Sequence, residues 1–462
     1  MISVPNPLSS KYDDLNLPDN TFIAHMAAPT RVTNVKEELE KALDNPINSK
    51  SLNEIAECKK KINSNAKACI VVSDNTRPVP YKGEDGILLP IIDTLSKAGY
   101  SDDDITILVA TGMHRAMGIN ELKAMIDERV FQRGIKIVNH DADDKANLTF
   151  VGKTNRGTDA YIDSLYMSSD LKILTGLVES HFMAGASGGR KSICPGLIGK
   201  ESTYIFHGPE LMADEMSRDL VIKGNPVHEE SLAVAKLAGA DFILNVTLDH
   251  DFKITGIFAG ELESAHLAAV EKIRESVETP IKEQADIVIT HGGFVGINHY
   301  QCAKCGVASI GALKKDGYLI AISDATDEKE VIGSPNYKTT LALLHLVGPD
   351  NFVRLIKSPD WTFLPEQWQV QQWAKVFKRT SEKNFYFYAP QIASKEFALL
   401  PGIDIRALDG EMCETSSAVF NQAIWKALKD IEKRSGKTLD QMSICYLAEG
   451  PYEIPVVKGE KK

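Results

Sequence analysis

The sequence predicts an α/β protein of two α/β domains with mostly parallel sheets and an active-site cleft between the domains. Three observations predict this. Short Val/Ile/Leu-rich runs alternate with helical patterns along the chain, as expected of strands buried on both faces under covering helices. The length of 462 residues allows two or three domains at roughly 150 residues each. A long charged helical stretch ends at Pro280, just before a new strand, which marks a boundary near 279–283.

In the first half, strands are expected at 68–74 (ACIVVSD), 105–112 (ITILVATG), 135–141 (IKIVNHD), 171–178 (LKILTGLV) and 241–248 (DFILNVTL). Helical patterns fall at 86–98, 120–127, 228–237 and 265–277. In the second half, 285–293 and 317–325 read as strands, and 308–315, 338–346, 366–378 and 416–433 as helices. The tail at 443–457 is again strand-like. The expected division is an N-terminal catalytic and cofactor domain over 1–280, to which the tail 438–462 returns, and a C-terminal domain over 281–437.

Composition excludes some functions. Lys and Arg number 52 against 63 Asp and Glu, a formal charge of −11, which disfavours general nucleic-acid binding. No apolar run approaches the ~18 residues of a membrane span, and the first residues lack the pattern of a signal peptide. Seven cysteines, odd and sparse, fit reduced thiols in a cytoplasm.

Ligands of open α/β sheets sit outside the carboxyl ends of strands, and three strands here end in polar clusters. The first is followed by Asp74, Thr76, Arg77 and Pro78. Arg suits a bidentate grip on a carboxylate or phosphate, and a structural ion pair bracing a turn is the alternative. The second ends in Gly112-Met113-His114, where a histidine is placed for proton transfer; an exposed loop histidine is the alternative. The third leads into His181, Gly185, Ser187, Gly188, Gly189, Arg190, Lys191 and Ser192. This run differs from a P-loop because Arg190 stands where the second glycine belongs. His207 lies 16 residues beyond Lys191 and reads either as a metal ligand or as a core histidine. Farther on, Tyr300, Gln301 and Lys304 form another polar cluster. Cys302 and Cys305 within it make a lone C-x-x-C without the second pair a zinc site needs, so the thiols are read as incidental. Trp368 opens a helix, either as packing or as cover for a planar ligand.

Taken together, Asp74-x-Thr76-Arg77-Pro78, Gly112-x-His114, His181-x-x-x-Gly185-x-Ser187-Gly188-Gly189-x-Lys191-Ser192, His207 and Tyr300-Gln301-x-x-Lys304 resemble the nickel-pincer-nucleotide-dependent lactate racemase family. The resemblance runs from about residue 10 to the tail. It implies a racemase or epimerase of a 2-hydroxy acid that works by hydride transfer through a 2-oxo acid. It implies nickel held by pyridinium-3,5-bisthiocarboxylic acid mononucleotide, linked covalently to Lys191 and supplied by cofactor-maturation proteins. By resemblance, His207 is the nickel ligand and His114 and His181 are the paired acid/base residues. Arg77 and Lys304 hold the substrate carboxylate, and Tyr300 and Gln301 line the pocket. Asp74, Thr76 and the backbone of Ser187, Gly188 and Gly189 help hold the nucleotide and orient Arg77, while Trp368 covers the site. Two other readings remain open from the residues: a phosphotransferase using 185–192 as a phosphate loop, and a non-catalytic protein that binds the nickel nucleotide.

Overall fold

A computed structural model describes residues 1–458. The chain forms two compact units, one from Ala28–Glu275 and the other from Met1–Ala27 together with the chain from Ser276 onward.

The Ala28–Glu275 unit is built on a six-stranded sheet. Its strands are β1 (Ala68–Ser73), β2 (Ile105–Ala110), β3 (Lys136–Asn139), β4 (Leu171–Leu177), β7 (Phe242–Leu248) and β8 (Ile254–Gly260), in the order β8-β7-β4-β1-β2-β3. The two-residue strands β5 (Ser180–His181) and β6 (Gly185–Ala186) form a separate hairpin after β4. All neighbours in the main sheet are parallel except edge strand β8, which runs antiparallel to β7. Ile70, Val72, Ile107, Val109 and Ile173 pack on helix α1 (Leu88–Lys97) through Leu88, Ile91, Ile92 and Leu95. Helix α2 (Pro226–Ala238) begins because the Asn225 side chain accepts from the amides of Val227 and His228 and Pro226 presets the first turn; it stops at Gly239, φ 71°. Helix α3 (Leu262–Val277) leads out of the unit.

β1 is followed in space by β2 and β3 on one side and by β4 on the other. The order therefore reverses between β1 and β4, the position at which open α/β sheets open a crevice beyond their strand ends. The loops that leave β1 and β4 carry Asp74 to Arg77 and Glu179 to Ser192.

The second unit holds a six-stranded, wholly parallel sheet of β9 (Ala285–His291), β10 (Leu313–Ile322), β11 (Phe385–Tyr388), β12 (Ile403–Asp404), β13 (Ile444–Leu447) and the strand Thr21–Ala24. The order is β12-β11-β10-β9-β13 and then Thr21–Ala24. Helices α4 (His299–Ser309), α5 (Gln367–Arg379) and α6 (Val419–Ser435) belong to this unit, and Phe420, Ile424 and Leu428 of α6 cover Ile287, Ile320 and Tyr386. No helix among the described residues is long and apolar enough to cross a membrane.

The α/β class, the parallel sheets and the early strands are as expected, but two expectations are corrected. The tail does not return to the first domain: β13 pairs with β9, Ile454–Val457 pairs with Glu278–Ile281, and the opening segment of the chain crosses over instead, with Thr21–Ala24 beside β13. Of the expected 438–462 tail, residues 459–462 lie outside the described residues. The helix expected at 308–315 is the end of α4 followed by β10: the Asn298 side chain caps α4 at the Gln301 amide, so the helix starts inside the polar cluster.

Candidate active site

The glycine-rich loop after β4 has a defined geometry. β5 and β6 pair as a hairpin, His181 opposite Gly185. Gly188 sits at φ 71°, and a Cβ there would lie 2.6 Å from Val178 Cγ2. Gly189, at φ 51°, would bring a Cβ within 2.7 Å of the His266 ring. Both glycines are therefore required by backbone conformation and by packing. Gly188→Ala is expected to lower stability by about 2 kcal/mol, read as a reduced denaturant midpoint.

The hydrogen bonds of this loop are turned inward. The Ser187 amide bonds Glu179 O at 2.9 Å, its Oγ donates to Leu177 O at 2.8 Å, and the Gly189 amide bonds Asn245 Oδ1 at 2.9 Å. A phosphate cradle needs free backbone N–H groups. Two of the three amides of Ser187, Gly188 and Gly189 are engaged within the protein, and through them the segment holds its neighbours in place. The same engagement leaves fewer backbone N–H groups for the phosphate cradle on which the phosphotransferase reading depends.

Lys191, His207 and His181 line one small cavity with Met183, Cys194, Pro195, Phe206, Val227 and Ser231. Lys191 and His207 keep only part of their surface open. Among the described residues the Lys191 ammonium makes no hydrogen bond or ion pair. Burial, and then the cations Arg77 and Arg190, hold its pKa well below the ordinary lysine value. Burial lowers the His207 pKa to about 3, so its imidazole is neutral at physiological pH, the form that binds metals. Burial pushes the Cys194 thiol up to about 12, so this cavity thiol stays protonated. Among the described residues no three His, Cys, Asp or Glu side chains gather as a metal site. A metal at His207 would take its other donors from a cofactor, which fits one imidazole beside one reactive amine.

Beyond β1 and β2 lies a dyad. Asp74, 4% exposed, sits 2.6 Å from His114 Nδ1 through Oδ2. Its Oδ1 accepts from the Thr76 amide at 3.2 Å and the Thr76 hydroxyl at 2.5 Å. Burial raises the Asp74 pKa, but the bonds from His114 and Thr76 outweigh it and hold the carboxyl below its usual range. A carboxylate at Nδ1 fixes the imidazole with its proton there and leaves the lone pair on Nε2, the arrangement of a general base. His114 itself is exposed. Arg77 Nη1 lies 3.1 Å from Glu179 Oε1. The Asp74 carboxylate is thus engaged with Thr76 and His114, its carbonyl accepts from the Arg77 amide at 3.1 Å, and the Arg77 guanidinium takes Glu179 as its partner.

In the second unit, Trp368 Nε1 donates to the Tyr300 hydroxyl at 3.2 Å, and Gln369 Nε2 donates to the Tyr300 backbone carbonyl at 2.7 Å. Burial pushes the Tyr300 hydroxyl up to about 12, so it remains a neutral donor and acceptor. The Oε1 of Gln301 is buried without a partner among the described residues. Gln301 and Lys304 lie one turn apart on α4. Cys302 and Cys305 are buried free thiols on the same helix, and Cys305 Sγ donates to Cys302 O at 2.9 Å.

The comparisons with known proteins bear on this constellation. Residues 8–219 match the model of the lactate racemase N-terminal domain. The lactate racemase of Thermoanaerobacterium thermosaccharolyticum is 33% identical over 436 residues, covering 91% of this chain and 96% of that protein. The chain belongs to the lactate racemase family. Its members are racemases, enzymes of the isomerase class. The lactate racemase of Lactiplantibacillus plantarum is 31% identical over 382 residues, covering 81% of this chain and 86% of that protein. The solved structure of the lactate racemase apoprotein from T. thermosaccharolyticum superposes with a TM-score of 0.79 at 28% identity, over 98% of this chain and all of the other. A Thermotoga maritima protein, 16% identical, shares the fold with a TM-score of 0.57 over 89% of this chain.

Residues that motif reading missed in this family member include Glu179, the partner of Arg77, and His266, packed on Gly189. Glu179 carried a signal, since it directly precedes the β5–β6 hairpin; His266, on α3, carried none.

Proposed function

We propose that this member of the lactate racemase family interconverts the configurations of a 2-hydroxy acid by moving a hydride from C2 and returning it to the opposite face. The observation that carries the reading is the shared cavity of Lys191, His207 and His181. A nickel-pincer nucleotide bound there would supply the hydride acceptor that no side chain provides. Lys191 would hold it covalently and His207 would ligate its nickel, a sensible partner for an imidazole and soft sulfur donors.

The remaining work falls to the chain. Removing a proton from C2 beside a carboxylate would build a second negative charge next to the first. Removing hydride avoids that carbanion, provided a base takes the hydroxyl proton. His114 is suited to this, since Asp74 leaves its Nε2 lone pair available and steadies the imidazolium that forms. Reaction on the other face calls for a second acid/base group, the role proposed for His181. Arg77 and Lys304 are proposed to hold the substrate carboxylate, with Tyr300 and Gln301 contacting the substrate and Trp368 holding Tyr300 in place.

Lys304→Ala is expected to raise KM roughly 10–100-fold with a smaller change in kcat, because a charge-assisted bond to the carboxylate serves substrate and transition state alike. Steady-state kinetics across a panel of 2-hydroxy acids, lactate first, checks this and identifies the substrate. Protein loaded with the cofactor should racemise at least one acid of the panel.

A further inference from the structure

Arg190 replaces the glycine of a phosphate loop and is 1% exposed. Among the described residues it forms no ion pair. A buried guanidinium without a carboxylate partner is costly; its two terminal nitrogens are spent on other groups, while Nε is buried without a partner among the described residues. Nη2 donates to Ala184 O at 2.7 Å and to Ala186 O at 2.9 Å, and Nη1 lies 3.5 Å from Gly188 O and 3.0 Å from His266 Nε2. The carbonyls it grips belong to the turn (Ala184) and the return strand (Ala186) of the β5–β6 hairpin, whose outgoing strand carries His181.

On the same hairpin the amides of Met183 and Ala184 both approach His181 Nδ1 at 3.3 Å. A ring nitrogen that accepts from N–H groups holds its lone pair toward them, so the neutral ring carries its proton on Nε2. His114 is the reverse, with Nδ1–H on Asp74 and the lone pair on Nε2.

We infer that Arg190 is a positioning residue: by gripping the carbonyls of Ala184 and Ala186 it holds the 183–184 amides against His181 and fixes that ring in the tautomer opposite to that of His114. The resting protein then offers one ring nitrogen that accepts a proton and one ring N–H that steadies oxygen. The first takes the hydroxyl proton of the alcohol; the second hydrogen-bonds the 2-oxo oxygen, and His181 serves as base for the opposite enantiomer only when its ring takes the other tautomer. The catalytic meaning rests on the proposed acid/base roles of the two histidines; the tautomer itself does not. Arg190 uses two nitrogens, Nη2 on both carbonyls and Nη1 beside His266, and lysine has one, so it replaces Arg190 only in part.

The test uses the full chain with ¹⁵N-labelled histidine, free of cofactor. Two-bond ¹⁵N–¹H correlations read each ring, and His181→Gln assigns the His181 signals. Wild type is expected to show His181 as Nε2–H. Arg190→Met is expected to show an averaged pattern of both tautomers, and Arg190→Lys, which keeps the buried charge and guards against loss of folding, an intermediate one. In cofactor-loaded enzyme, Arg190→Met should lower kcat roughly tenfold or more with KM nearly constant, partly rescued by Arg190→Lys. A wild-type His181 carrying Nδ1–H, or a folded Arg190→Met that keeps the Nε2–H pattern, overturns the inference. Loaded wild type that racemises no 2-hydroxy acid overturns the proposed function instead and leaves the tautomer of His181, read by NMR, untouched.

Discussion

Lys191→Ala is expected to give a folded protein with no covalently attached cofactor and only background racemisation. Lys191 lies in the cavity as an amine without a hydrogen bond or ion pair among the described residues, depressed in pKa by burial and by Arg77 and Arg190. That is the condition of a nucleophilic lysine, since only the neutral amine carries the lone pair that bonds to an acyl-type carbon. Removing an unpaired, desolvated amine costs little stability, because burial of its charged form is itself unfavourable. Thermal denaturation should therefore place the variant within a few degrees of wild type. Intact-mass spectrometry after exposure to the cofactor should show added mass on wild type and none on the variant. Added mass on Lys191→Ala, or full activity without it, would contradict the assignment.

Asp74→Asn is the second large effect. An amide placed at His114 Nδ1 donates where the carboxylate accepted, so the ring proton moves to Nε2 and the base lone pair turns away from the substrate. The same exchange in a serine protease dyad costs about 10⁴ in kcat, and roughly 10²–10⁴-fold is expected here, with KM little changed. The acid limb of stability should respond as well. The Asp74 pKa is lowered in the folded protein, so its contribution is present above the usual carboxylate range and is lost as pH falls through the lowered folded value. Asp74→Asn should flatten that limb by removing a contribution that is present at neutral pH, so the stability gap to wild type is widest above the carboxylate range and closes as pH falls. An unchanged kcat would show that His114 does not work through Nε2.

The parts that were legible in the sequence share a physical reason. Strands buried on both faces, such as Ala68–Ser73 and Leu171–Leu177, must be continuous runs of apolar residues, and the polar clusters that follow them mark the strand ends. What was illegible depends on contacts distant in sequence. Ile444–Leu447 reads as a strand anywhere, but its pairing with Ile287, Val288 and Ile289 decides to which unit the tail belongs. Asp74 and His114 stand 40 residues apart and meet because β1 and β2 are parallel neighbours. The true start of α4 was hidden because Asn298 and the residues after it read as a site rather than as a capped helix. The part played by Arg190 was hidden because its partners are backbone carbonyls, which every residue has.

The fate of the C2 hydrogen distinguishes hydride transfer from proton abstraction. Cofactor-loaded protein is incubated in deuterated water with one enantiomer of a 2-hydroxy acid that it turns over, and the product is resolved by chiral chromatography and mass spectrometry. Hydride transfer predicts an approach to equal amounts of both enantiomers with the C2 hydrogen retained, because it leaves as hydride and returns without meeting solvent. Solvent deuterium at C2 of the inverted product would contradict it, since that outcome belongs to proton abstraction.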